Sequence, residues 1–151
     1  MILALVLLQA AASASGPVEV HLACRGIGER RVMNRGSGVA FGPNGYAGSA
    51  FGAMSSRKDF EDQLDVNISG GIAKVRMPRR FLPPAHGGEG GWFDVKDLVI
   101  GEDYITGKVA VNFANHPAIR LDRRTGTVSM DGKVGSYSGQ CEKIDPTARA
   151  F

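Results

Sequence analysis

Apolar and polar residues alternate with a period of two along most of this chain, and a 3.6-residue apolar stripe is nowhere sustained. Val18, Val20, Leu22 and Cys24 alternate with Glu19, His21 and Ala23, which predicts a strand with Cys24 on its inward face. Leu64, Val66 and Ile68 alternate with Asp65 and Asn67, and Gly70-Gly71 then supplies the positive φ of a tight hairpin. The return strand is Ile72 to Met77, stopped by Pro78. A second hairpin runs from Phe93 to Ile100, turns at Gly101-Glu102-Asp103 and returns as Tyr104 to Phe113. Ile105, Gly107, Val109, Val111 and Phe113 are expected to share one face of that return strand. Asn115-His116-Pro117, Thr125-Gly126 and Asp131-Gly132 punctuate three further strands: Ala118–Asp122, Thr127–Met130 and Val134–Cys141. Short strands at this spacing predict an all-β fold, an antiparallel sandwich or barrel.

Two segments fall outside the pattern. Residues 25–58 hold eight glycines and little alternation beyond Val39–Phe41, so a long Gly-rich N-terminal loop, partly mobile, is expected there. Residues 79–91 join Arg79-Arg80, Pro83-Pro84 and Gly87-Gly88-Glu89-Gly90-Gly91, the composition of a stiff connection followed by a hinge.

The N-terminus differs in kind. Met1 to Leu8 is almost unbroken apolar sequence, Ala12-Ser13-Ala14 is a small-x-small site, and the first charged side chain is Glu19. Residues 1–14 therefore read as a signal peptide, followed by a single β-rich domain over 15–151 in a periplasmic or secreted protein. The run is too short to span a bilayer as a helix, which takes about 20 apolar residues. In that setting two cysteines, Cys24 and Cys141, read as one disulfide joining the ends of the domain. The formal charge of +3 is spread unevenly: 25–58 is basic, 59–103 acidic and 104–151 basic again. That alternation argues against a nucleic-acid partner, which would favour one electropositive stripe.

The series Val75-Arg76-Met77-Pro78, Pro83-Pro84, Gly90-Gly91-Trp92, Ile105-Thr106-Gly107, Leu121-Asp122-Arg123-Arg124-Thr125-Gly126 and Ser138-Gly139-Gln140-Cys141-Glu142 resembles a group of small exported bacterial proteins of uncharacterised function. The resemblance covers about residues 60–151. It implies a bacterial envelope setting and carries no catalytic residue.

Catalytic signatures are thin. His21, His86 and His116 lack zinc-ligand spacing, so neither a metal nor another cofactor is expected. Ser55-Ser56-Arg57-Lys58 has a Ser-x-x-Lys spacing without a helix to align it, and Gly135-Ser136-Tyr137-Ser138-Gly139 centres on tyrosine where a nucleophile elbow needs serine. Gly36-Ser37-Gly38 lacks the third glycine of a dinucleotide loop. Asp94, Asp97, Glu102 and Asp103 are the carboxylates to consider for hydrolysis. Arg79, Arg80, His86 and Trp92 form the candidate binding surface, because Trp and Arg dominate binding hot spots. The expected function is a non-enzymatic binding or structural module of the envelope, with a protein or glycan as partner. The alternatives are an inhibitor of a secreted hydrolase and an envelope hydrolase with dispersed carboxylates.

Overall fold

Alternation of this kind makes a sheet with one apolar face, and the chain buries that face by rolling the sheet shut. The computed structural model describes residues 18–148 apart from 42, 46 and 146. For 37–41, 47–51, 53 and 54 it describes the backbone alone. The strands are β1 (Val20–Phe41), β2 (Ala47–Ser69), β3 (Ile72–Arg76), β4 (Trp92–Ile100), β5 (Tyr104–Val109), β6 (Ala118–Asp122), β7 (Thr127–Gly132) and β8 (Gly135–Lys143). Each pairs antiparallel with the next and β8 returns to β1, so the fold is a closed barrel. Of the two all-β architectures the alternation allows, the barrel is the one adopted. Closure leaves no sheet edge around the core. The segment expected to be a signal peptide lies outside the described residues.

Two expectations are corrected. Residues 25–58 do not form a loop: β1 and β2 run through them as one long hairpin, paired from Val20↔Ile68 out to Phe41↔Ala47. The pairing of β1 with β8 stops at Arg30↔Gly135, and that of β2 with β3 covers only Asp65–Ser69. Beyond Arg31↔Arg57 the hairpin is a two-stranded arm with no core to face, so nothing imposes alternation on its sequence. The second correction is Phe113, expected inward but 97% exposed. β5 ends at Val109 because the Asn112 carboxamide accepts hydrogen bonds from the Ala114 and Asn115 amides, drawing the chain into a turn.

The barrel is filled by Leu64, Val66, Ile68, Ala73, Val75, Phe93, Ile105, Val109, Ile119, Leu121, Val128, Met130 and Tyr137. At the end from which the arm projects, a 3-10 turn at Arg79–Phe81 drops the fully buried Phe81 into the opening. Its ring meets Phe60 edge-on at 6.1 Å. Phe60 in turn lies where a side chain on Gly28 would be, so β1 needs glycine there. The β1–β8 seam is equally close at Gly26↔Gly139: a Cβ on Gly139 would stand 2.7 Å from the Arg25 carbonyl oxygen. Two residues along the same inward rows, Cys24 and Cys141 are directly paired and disulfide-bonded, their Cα atoms 3.9 Å apart.

Tyr137 ties this seam internally. Its hydroxyl lies 3.0 Å from the Cys24 carbonyl oxygen and 2.9 Å from that of Asp62, bridging β8 to β1 and β2. Burial, with the carboxylates of Asp62 and Asp65 nearby, pushes the Tyr137 hydroxyl up to about 12. An acid whose pKa is raised by folding stabilises the fold fully below its unfolded value, about 10, and loses that contribution as pH rises through the folded value. Stability is therefore expected to fall by about 2–3 kcal/mol between roughly pH 10 and pH 12 from this group alone. Tyr137→Phe should lose about 1–2 kcal/mol at neutral pH and show a shallower alkaline decline in urea titrations. Parallel declines in the two proteins would refute the assignment.

Candidate functional site

The outer face of the barrel is set by the same register that sets the core. Following partners around the sheet, Asp59, Glu29, Ser136, Asp131, Ala118 and Lys108 form one outward row across β2, β1, β8, β7, β6 and β5. Glu61, Ile27, Ser138, Ser129, Arg120 and Thr106 form the next. In β6, β7 and β8 four of these six positions are small, namely Ser136, Ser138, Ser129 and Ala118, and the other two are Asp131 and Arg120. Larger side chains stand on either side: Glu29 and Ile27 from β1, Lys108 and Arg120 from β5 and β6. Small side chains between larger flanks leave a hollow on the outer face, beginning beside the last pairs at the arm end of the barrel, Arg30↔Gly135 and Gly132↔Gly135. The result is an open groove of about 830 Å³.

A bulge shapes its far wall. β4 carries one residue more than β5 between Lys96↔Lys108 and Val99↔Thr106, and Asp97 takes φ 52° to absorb it. This turns Asp97 outward, where its carboxylate meets Lys108 Nζ at 3.3 Å. Gly107 lies under the bulge; a Cβ there would overlap the Val95 side chain and stand 3.2 Å from the Lys96 carbonyl oxygen. On the opposite wall Arg57 Nε holds Glu29 at 3.0 Å, and Ile27 is 60% exposed. The Arg120 guanidinium lies 3.8 Å from the centroid of the Tyr104 ring, which steadies a cation at the rim. Among the described residues Asp59 and Asp131 enter no ion pair. The groove thus offers hydroxyls on its floor, carboxylates toward β1 and β7, and cations toward β5 and β6.

Arg79, Arg80, His86 and Trp92 lie in or next to the connection between β3 and β4. Arg79 and Arg80 are exposed on the 3-10 turn at the arm end of the barrel. Trp92 is half-buried in a separate hollow with Lys74, Gly88, Glu89, Phe93, Asp94 and Ala110, which neither arginine lines. His86 is exposed and its ring meets the Phe93 ring at 5.9 Å, so it stays close to Trp92 in the chain's path. The carboxylates also scatter: Asp94 pairs with Lys74 at 3.7 Å, Asp103 with Arg124 at 2.6 Å, and Asp97 alone reaches the groove. Ser55 and Lys58, three apart on β2, fall on opposite faces of the strand, which removes the Ser-x-x-Lys pairing. Among the described residues no group of three or more His, Cys, Asp or Glu side chains is placed to hold a metal ion.

The groove itself was not foreseeable from local motifs. Its residues come from seven strands spread over a hundred positions, and most are ordinary outward residues of their own strands. The one available signal was the run of serines in β7 and β8, where bulkier β-formers are usual. Comparisons of the chain with protein-family models, curated proteins and solved structures find no match.

Proposed function

We propose that this chain is an exported, non-enzymatic binding module of the bacterial envelope, and that it holds an extended segment of a partner protein in the groove on the outer face of the barrel. The observation that carries this reading is the contrast between inside and outside. A hollow among the core side chains between Val66 and Leu121 holds about 10 Å³, room for about one water molecule, whereas the groove falls in the range of about 300–1,000 Å³ typical of ligand sites. A polypeptide fits the lining better than a glycan. Sugar faces are bound by stacking on exposed aromatics, but Tyr137 in the lining is buried with its hydroxyl engaged inside the barrel, and one face of the Tyr104 ring at the rim is already covered by the Arg120 guanidinium. Serine hydroxyls and both signs of charge suit the amides and side chains of an extended peptide. Binding through dispersed polar groups also explains why no single motif announces the site.

Capture from envelope extract with three immobilised proteins tests this: wild type, Ser138→Trp, which fills the groove floor, and Lys74→Trp, which alters the face beside Trp92. Ser138→Trp is expected to retain about tenfold less of one discrete protein, a loss of about 1.4 kcal/mol or more, with Lys74→Trp unaffected. Equal retention by all three, or recovery of glycan in place of protein, overturns the reading. Release of cleaved fragments by wild type but not by Asp131→Asn would instead assign an envelope hydrolase.

A further inference from the structure

We propose that the base of the β1–β2 arm, together with the uncharged ribbon it carries, is a contact site for an anionic lipid surface. From Arg31↔Arg57 to Phe41↔Ala47 the arm comprises eleven residue pairs beyond the barrel, about 35 Å at the rise of an antiparallel strand. A lone two-stranded ribbon is marginally stable in water, so an arm of this length calls for a surface to rest on. Its sequence is polarised. Gly36 through Ser56 carries no charged residue in 21 positions, and Phe41, Tyr46 and Phe51 occur within that stretch.

The base is cationic. Arg31, Met33 and Arg35 alternate along one face of β1, with Arg57 opposite Arg31, and all four are exposed. Met33 is 79% exposed, an apolar side chain set between guanidinium groups. Lys58 follows on β2, and Arg79 and Arg80 stand exposed at the same end, since Phe81 packs on Phe60. Between positions 29 and 59 the acids are Glu29 and Asp59 alone, and Glu29 is already paired with Arg57. Phe113, 97% exposed, lies at this end too.

Cations beside exposed apolar groups suit the boundary of an anionic bilayer, where guanidinium groups meet phosphates and apolar side chains enter the interface. The backbone sets the depth. A two-stranded ribbon has unpaired N–H and C=O groups along both outer edges, which hydrocarbon would leave unsatisfied. The arm therefore lies in the headgroup region and does not span. A nucleic acid fits less well, because a stretch of 21 residues without a cation neutralises no phosphate. Arg31, Met33 and Arg35 line no part of the groove, so the inference stands apart from that reading although Arg57 reaches the groove wall through Glu29.

The test is vesicle flotation with the disulfide-bonded chain beginning at Ser15, so that the apolar run Met1–Leu8 does not contribute. The vesicles are phosphatidylcholine alone or phosphatidylcholine mixed with phosphatidylglycerol. Wild type is expected to float with the anionic vesicles, about tenfold more than with neutral ones, and to be released by high salt. The double variant Arg31→Glu/Arg35→Glu and the single variant Met33→Glu should each lose about tenfold or more. Lys143→Glu, at the opposite end of the barrel, should float as wild type does, and all variants should keep the wild-type circular dichroism. No flotation with anionic vesicles, equal flotation with neutral ones, or insensitivity to Met33→Glu overturns the proposal. Tighter binding to a short DNA duplex than to vesicles, unchanged by Met33→Glu, assigns the cations to nucleic acid and overturns it equally.

Discussion

Replacing Cys141 with Ser is expected to destabilise the oxidised protein by about 4–5 kcal/mol, the largest single effect of any substitution proposed for this chain. The Cys24–Cys141 bond closes a loop with a sequence separation of 117. In the chain-entropy view, a cross-link over so long a loop removes much of the freedom of the unfolded chain. Its position adds a second reason. The bond sits on the β1–β8 seam, where the first and last strands must meet for the barrel to close. That meeting is the contact of greatest sequence separation in the fold, and hence the costliest to make by diffusion. Thermal unfolding should show a midpoint lowered by about 15 °C for Cys141→Ser against oxidised wild type. Fully reduced wild type should coincide with the variant. A variant as stable as the oxidised protein would mean that the seam closes without help from the bond.

Phe81→Ala is expected to cost about 3–5 kcal/mol. Phe81 is fully buried although it belongs to a three-residue 3-10 turn in an otherwise irregular connection. It closes the arm end of the barrel by packing on Phe60, and that ring has no other place to go because it fills the space above Gly28. Truncation leaves a cavity lined by rigid strands, which cannot collapse to fill it. Arg79→Ala and Arg80→Ala, exposed on the same turn, should change stability by no more than about 0.5 kcal/mol. Denaturant titration of the three variants separates a plug from a merely tolerated loop residue. Comparable small losses in all three would show that the turn does not seal the barrel.

Alternation was legible wherever a strand had one face on the core and neighbours on both sides. Leu64-Val66-Ile68 and Ala73-Val75-Met77 face inward as read, and Gly70 and Gly71 both take positive φ in the turn between them. The cysteine pair was legible for a different reason, an even count in a chain read as exported, and the disulfide between Cys24 and Cys141 is formed. The arm was not, because a ribbon without a core puts no constraint on which positions are apolar. Phe113 was misread because period two continues in sequence past the point where Asn112 turns the backbone away.

The site divides along the same line. The sequence by itself determined which residues could face the core, where the turns fall, and that two cysteines mark the ends of the domain. Those properties depend on neighbours two to four positions away. Only the tertiary structure decided that the sheet closes into a barrel, that Trp92 lines a hollow with Lys74 and Asp94, and that Glu29, Asp131 and Lys108 share one outward row. Strand register across a closed sheet joins residues from opposite ends of the chain. The hydrogen bonds and packing that select that register belong to pairs of strands, and no single strand's pattern contains them.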